Sequence, residues 1–469
     1  MPEAADLRAL PAPLREAVAD IASRVGRAGG RALMVGGSVR DLRLGSGAVK
    51  DVDLEVFGLG PDELQRVIGE RYAFDPCGVS FGVLKIQHLD IDVSLPRRES
   101  KRGEGHKGFM IASDPRLSVR EAASRRDFTI NAMYLDPLTG AFEDPYGGAA
   151  DLRAHVLRHV TPKFVEDPLR VLRGMQFIAR FDLFPAPETV AICRTMEIEG
   201  LPPERLFEEW AKLLVKGRQM SRALEFLRAT GWVRYFPELQ RLIGCRQDPK
   251  WHPEGDVWEH TKLCLDAFAR RRTGDRNEDL IVGLAVVCHD FGKPATTAFD
   301  FGSGHIRSLG HDEAGVEPTL SFLRRLTNEE RILREVPPLV RNHMQPFAMW
   351  RAKAGDAAVR RLAVRVGRID RLVRVARADD EGRPPECAGG TSGGADLAWL
   401  EAAAERLRVA AAVPKPLLMG RHLIAMGYRP TPRFKTWLDR CYEAQLDGAF
   451  SDLTGARAWF LEARAREEA

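Results

Sequence analysis

A glycine pair and an aspartate pair near the N-terminus restrict the fold more than any other feature of this chain. Leu33-Met34-Val35-Gly36-Gly37-Ser38-Val39-Arg40-Asp41 sets two glycines between an apolar strand and a helical stretch, and Asp51-Val52-Asp53 lies on the next strand. Glycine lets a backbone approach a phosphate closely, and a helix N-terminus offers it free N–H groups. Residues two apart on a strand share a face, so Asp51 and Asp53 present their carboxylates together. Such a pair repels itself unless a cation intervenes, and Mg²⁺ bridging carboxylates to substrate phosphates is a physical reason to keep it. A third carboxylate is available in Asp90-Ile91-Asp92-Val93, where Asp92 is the choice for activating an attacking hydroxyl. Each element alone is commonplace, because a Gly-Gly turn is usually only a turn and Asp-x-Asp on a strand edge is often a solvated acidic pair. Their succession points to phosphoryl transfer.

The surrounding pattern supports an α/β setting. A helix is predicted over 7–28, with Leu7, Leu10, Leu14, Val18 and Ile21 at near-helical spacing and Gly29-Gly30 ending it. Strands over 32–35, 52–57, 83–86 and 91–95 alternate with helical segments, and beyond residue 160 the pattern is almost wholly helical. A chain of 469 residues is too long for one core and predicts two to four domains. Turn residues at 244–253 and a Pro- and Gly-rich linker at 383–394 divide it into segments 1–160, 161–245, 246–390 and 391–469, the last with two or three helices. No apolar run approaches a membrane span, and residues 1–30 mix charges and prolines as no signal peptide does, so a cytoplasmic protein without a membrane partner is expected. The cysteines show no CxxC pair or zinc spacing and read as buried free thiols. With 70 Lys and Arg against 66 Asp and Glu, the net charge is +4, so any nucleic acid must be gripped by local patches.

GGSVRD followed by DVD resembles the active-site signature of class II tRNA nucleotidyltransferases and bacterial poly(A) polymerases, in the DNA polymerase β-type superfamily. The match continues through Arg125-Arg126-Asp127-Phe128-Thr129-Ile130-Asn131-Ala132, Asp144-Pro145-Tyr146-Gly147-Gly148, Glu166-Asp167-Pro168-Leu169-Arg170-Val171-Leu172-Arg173 and Glu204-Arg205-Leu206-Phe207-Glu208-Glu209. The resemblance implies a polymerase β-like palm, that is, an α/β nucleotidyltransferase head, followed by an all-α neck. It implies Asp51 and Asp53 as holders of Mg²⁺, and Gly36, Gly37, Ser38 and Arg40 against the triphosphate. Arg126, Asp127 and Asn131 would bind sugar and phosphates. Glu166, Asp167 and Arg170 would form an amino-acid template for the incoming base, with Arg173 steadying the nucleotide. CTP and ATP both suit such a template, since each offers an exocyclic amine beside a ring-nitrogen acceptor. Read without the other motifs, EDPLRVLR is a capped helix with exposed ion pairs.

The stretch 95–109 is basic and Gly-rich and resembles the mobile loop that CCA-adding enzymes use when switching from C to A addition; the alternative is a disordered surface hairpin. Further on, His260, His289-Asp290 and Asp379 follow the order H…HD…D of the HD phosphohydrolase superfamily, with His311 and His343 as additional candidates. Neutral imidazoles with carboxylates suit a divalent metal (Mg²⁺, Mn²⁺ or Ni²⁺) that activates water. With Trp251-His252-Pro253-Glu254 ahead of it, this part resembles the C-terminal half of bacterial multifunctional CCA proteins, which implies 2′,3′-cyclic phosphodiesterase, 2′-nucleotidase and phosphatase activity on an all-α HD domain with a helical tail. Nine basic residues from Arg351 to Arg377 face Asp356 and Asp370, and Arg361, Arg365 and Arg368 recur at helical spacing, which reads either as a phosphate-tracking stripe or as a solvated helix face.

The expectation is therefore CMP and AMP transfer from CTP and ATP to the tRNA 3′ end by a monomer or homodimer. The alternatives are a poly(A)- or A-adding enzyme of the same family, and an HD hydrolase whose front half binds RNA.

Overall fold

The computed structural model describes residues 7–45, 49–75, 82–101, 109–384 and 394–468, with backbone alone over 98–101 and 109–112. The four expected segments gather into two compact units. One takes the chain up to Leu213 together with Arg222–Trp232, and the other takes Leu214–Ser221 and the chain from Val233 onward.

The first unit is built on strands β1 (Arg31–Val35), β2 (Val52–Phe57), β3 (Val83–Lys85), β4 (Ile91–Ser94), β7 (Tyr134–Leu135) and β8 (Phe142–Glu143), in the order β3-β4-β2-β1-β7-β8. A separate antiparallel hairpin joins β5 (Arg97–Lys101) to β6 (Phe109–Ser113). The stretch read as a mobile basic loop is thus partly paired strand, and its tip at 102–108 lies outside the described residues. The N-terminal helix runs over Ala12–Arg27, burying Leu14, Val18, Ile21 and Val25, while Leu7–Ala9 makes only a 3₁₀ turn. Pro11 and Pro13 explain the break, since proline suits the start of a helix and not its interior.

On β2 the side chains alternate. Val52, Leu54 and Val56 are buried on one face, and Asp53 and Glu55 share the other. Leu33 and Val35 of β1 stand across from Glu55 and Asp53, and they pack with Ala123, Ala132 and Tyr134 in a small core. Glu55 is 0 % exposed, accepts hydrogen bonds from Tyr134 Oη (2.7 Å) and Arg125 Nη2 (3.1 Å), and faces Arg126. Burial opposes its charge, yet Arg126 and Arg125 hold its carboxyl below the ordinary range. Tyr134→Phe leaves Glu55 one donor short inside the core and is expected to cost about 1–3 kcal/mol. Urea unfolding of the two proteins, compared at their midpoints, measures this.

The second unit is mainly helical. Helices Val257–Arg270, Arg276–Cys288, Glu330–Asn342 and Ile369–Glu381 frame it. An antiparallel pair, Thr297–Asp300 with His305–Ser308, interrupts the expected all-helical pattern. The tail carries four helices among the described residues rather than two or three: Ala395–Arg406, Gly420–Ala425, Arg433–Asp447 and Leu453–Glu468. Of the linker expected at 383–394, residues 385–393 lie outside the described residues.

Most arginines between 351 and 377 are engaged within this unit. Arg361 meets Glu443 and Asp447, Arg368 meets Asp370 and Glu278, Arg371 meets Glu278 and Glu335, Arg374 meets Asp279, and Arg377 meets Glu401. Of the three at helical spacing, Arg361 and Arg368 tie helices together in this way, whereas Arg365 is exposed. Apart from Asp370, the acids responsible lie far away in sequence, so local charge counting misses them.

Candidate active sites

In the head, main-chain geometry gathers the carboxylates. Val35 stands opposite Asp53 in the antiparallel β1–β2 pair, and Asp53 stands beside Asp92 in the parallel β2–β4 pair. β1 then leads directly into Gly36, which caps the helix Gly37–Leu44 with φ 77°, a left-handed conformation that favours glycine. A Cβ on Gly36 would lie 3.3 Å from Asp53 Oδ2 and 3.4 Å from Arg126 Nη1, so the turn passes directly beside this carboxylate. Asp51 and Asp53 both meet solvent, and Asp92 is half-exposed with Lys85 at 3.5 Å. Partial burial pushes the Asp53 carboxyl up; Arg126 opposes this, and Asp92, Asp51 and Glu55 add to it. A position where acids destabilise one another's charge, beside backbone N–H groups at a helix start, suits a hard divalent cation and an anionic ligand.

The remaining head candidates form one hydrogen-bonded chain. Arg40 Nη1 donates to Asn131 Oδ1 (2.6 Å), Asn131 Nδ2 donates to Asp127 Oδ1 (3.0 Å), and Arg173 Nε donates to Asp127 Oδ2 (2.8 Å). Asp127 is buried, a change that alone would raise its carboxyl, but Arg173, Asn131 and its bond from the Phe128 N–H hold it low. Arg40 is only 4 % exposed and lies over the Phe181 ring at 4.2 Å, so it points into the interior. Ser38 is likewise turned inward, its hydroxyl donating to the Val35 carbonyl.

The proposed base template sits at the start of the helix Leu169–Phe181. Asp167 accepts from the Leu169 N–H (3.1 Å) and from Arg205 Nη2 (3.0 Å), while Arg170 donates to the Lys163 and Arg125 carbonyls. Glu166 is half-exposed. Arg205 stands in the stretch 204–209, which by itself points to no role for it; its contact with Asp167 comes from the fold.

In the second unit the histidines converge. His260 Nε2 lies 2.9 Å from Asp379 Oδ1, His289 Nε2 lies 3.3 Å from Asp290 Oδ2, His311 Nε2 lies 3.5 Å from Asp290 Oδ1, and the Nε2 atoms of His311 and His343 are 3.1 Å apart. The Nδ1 atoms of His289 (2.8 Å), His311 (2.8 Å) and His343 (2.7 Å) each meet the carbonyl three residues earlier. An Nδ1–H bonded to a carbonyl fixes the tautomer and leaves Nε2 as a ligand, the usual support of a metal-binding imidazole. Glu254 Oε1 supports His260 and His252 in the same way, at 2.8 Å from each Nδ1; burial opposes its charge, but these two bonds hold it down at about 2. His289 is pushed up to about 10, because Asp290 outweighs burial, whereas burial and the charges of His311 and His289 push His343 down to about 4.

The close groups divide the expected ligands. Asp379 joins His260, Cys264 and His289, whereas Asp290 joins His311 and His343. Lys293, one turn after Asp290, binds it at 2.7 Å. Gly292 is required here, since a Cβ would come 1.9 Å from the His311 carbonyl oxygen. A cavity of about 550 Å³ opens on the cluster, lined also by Lys293, Arg351 and Arg383 and by Trp251, Phe347 and Trp350. Cations beside aromatic faces suit a nucleotide phosphate and base.

Comparison with known proteins adds a second line of support. Residues 32–158 match the family described as Poly A polymerase head domain, and 183–243 match Probable RNA and SrmB- binding site of polymerase A. A protein of Xanthomonas oryzae pv. oryzae named Multifunctional CCA protein is 37% identical over 390 residues, covering 80% of this chain and 90% of its own. Its namesake from Methylobacillus flagellatus is 41% identical over 304 residues, covering 63% and 69%. Among solved structures, the Bacillus stearothermophilus CCA-adding enzyme in complex with CTP shares the fold with a TM-score of 0.64 at 22% identity, covering 98% of this chain and 99% of its own. The Thermotoga maritima CCA-adding enzyme complexed with tRNA gives 0.57 at 17%, covering 96% and 95%.

Proposed function

The chain belongs to the multifunctional CCA protein family and is a CCA-adding nucleotidyltransferase, and we propose that it transfers CMP and AMP at the head carboxylates and hydrolyses phosphoesters at the histidine cluster. The observation that carries the first part is Asp53, held in register with Asp92 on one side and beside the Gly36 turn on the other.

Asp51 and Asp53 would hold Mg²⁺, which when bound supplies positive charge to offset that developing on the triphosphate. Asp92 accepts the proton of the tRNA 3′-hydroxyl as its oxygen attacks the α-phosphorus of CTP or ATP, and pyrophosphate leaves. The Gly36-Gly37 turn admits the triphosphate to backbone N–H groups, and the Arg126 guanidinium beside it adds charge. Asp127 and Asn131, braced by Arg40 and Arg173, position the sugar and phosphates. Glu166, Asp167 and Arg170 read the base: a carboxylate accepts from the exocyclic amine and the guanidinium donates to the ring nitrogen. GTP and UTP present the reverse pattern and leave these groups unpaired.

Transcripts of tRNA ending in N, NC and NCC, incubated with CTP and ATP and then sequenced at their 3′ ends, test this reading. All three are expected to finish in CCA; tails of many adenosines, or a lone A added only to NCC, would replace it with poly(A) or A-only addition.

At the histidine cluster, His260, His289, Asp290 and Asp379 would hold a divalent metal, with His311 and His343 extending the donor set; such an ion would supply a water of lowered pKa for attack on phosphorus. An HD-type fold and 2′,3′-cyclic phosphodiesterase, 2′-nucleotidase or phosphatase activity accord with this donor order and with Lys293, Arg351 and Arg383 around the cavity.

A further inference from the structure

Cys264 is the feature of the histidine cluster that the hydrolase reading leaves unused. It lies one turn after His260 on the helix Val257–Arg270 and is fully buried. Its Sγ is 3.4 Å from His260 Nε2, and ligand atoms of His260, Cys264, His289 and Asp379 all fall within 4.8 Å of one another. Into this group points His289 Nε2, on a residue 1 % exposed; its contact with Asp290 Oδ2 at 3.3 Å is an ion-pair approach and lacks hydrogen-bond geometry. A buried imidazole nitrogen with its other face already tied to a carbonyl is either a desolvation cost or a ligand. The backbone makes room for the sulfur: a Cβ on Gly382 would stand 2.3 Å from Cys264 Sγ, so the helix Ile369–Glu381 can end this close only because residue 382 has no side chain.

Building on the metal-site reading above, we infer that Cys264 supplies a thiolate ligand, giving a sulfur, two-imidazole and carboxylate set that selects a borderline-soft transition ion such as Zn²⁺ or Co²⁺ over Mg²⁺. Thiolate and imidazole donors suit these ions, whereas Mg²⁺ prefers oxygen ligands and retained water. One thiolate and one carboxylate also neutralise a dication among residues that are almost wholly buried. Asp290, drawn also to Lys293 and His311, borders this group at His289 and faces the cavity.

The experiment loads the full chain with Co²⁺ and records its absorption. The wild type is expected to show visible ligand-field bands together with a near-ultraviolet sulfur-to-cobalt charge-transfer band. Cys264→Ser is expected to keep the first and lose the second, and Cys288→Ser to keep both. Zn²⁺ should bleach the spectrum, and Mg²⁺ at equal concentration should not. Circular dichroism of each variant checks that the fold is retained. Visible bands without charge transfer in the wild type, persistence of the charge-transfer band in Cys264→Ser, or displacement by Mg²⁺ would each overturn the inference. If the visible bands are absent from the wild type, or survive His289→Ala unchanged, the metal-site reading itself falls and takes this inference with it.

Discussion

Asp53→Asn is expected to abolish incorporation of labelled CMP and AMP into tRNA lacking its CCA end, while hydrolysis of a 2′,3′-cyclic phosphate continues. The substitution preserves shape and removes one charge from the group that would hold Mg²⁺. Interactions with a transferring phosphoryl group are worth several kcal/mol, so a rate loss of roughly three orders of magnitude follows. Misfolding is a poor alternative explanation here. The fold raises the Asp53 carboxyl, so its ionised form is disfavoured in the native state, and that penalty grows as pH rises past the ordinary carboxylate range. A neutral asparagine removes the penalty, and at pH 7 the variant should unfold at the same temperature as the wild type or higher. Loss of hydrolysis alongside addition would show that the two chemistries share a site.

Asp290→Asn gives the reverse pattern: phosphoester hydrolysis disappears and CCA addition is retained. Asp290 is 1 % exposed and stands between His289, His311 and Lys293. Removing its charge takes a ligand from the cluster and leaves Lys293 buried beside a neutral amide. Breaking a buried pair in this way costs about 3–5 kcal/mol, so the thermal transition of the variant should fall. His343→Gln separates the two effects, since His343 is held neutral at about 4 and its loss leaves no charge unpaired. If Asp290→Asn and His343→Gln both hydrolyse at the wild-type rate, the cluster is not the hydrolytic centre.

The strands near the head site were legible because period-two alternation and turn glycines are local signals. Strand 52–57 is found where the pattern puts it, and the Asp53–Asp92 pairing follows from two short acidic strands lying side by side. Glu55 is equally legible as the third acid on the same face as Asp51 and Asp53. Tyr134 and Arg125, which satisfy it, could not be found that way, because they meet it 79 and 70 residues later in the chain. Cys264 lacks CxxC spacing and so reads in the sequence as one more buried thiol, whereas a cysteine one turn after a histidine shares that histidine's helix face. The tail was undercounted because Gly420–Ala425 is only 6 residues long, too short for a periodic signal.

The chain of bonds from Arg40 through Asn131 and Asp127 to Arg173 bears on how the head comes into being. Its links join residues 91 and 46 positions apart, and its last member stands beyond every strand of the main sheet. A nascent polypeptide halted before Arg173 would already carry all three acids of the head, with Asp127 still lacking the guanidinium that neutralises it. Nucleotide affinity is therefore expected once the ribosome has released the helix Leu169–Phe181, when every strand of the main sheet has already been made.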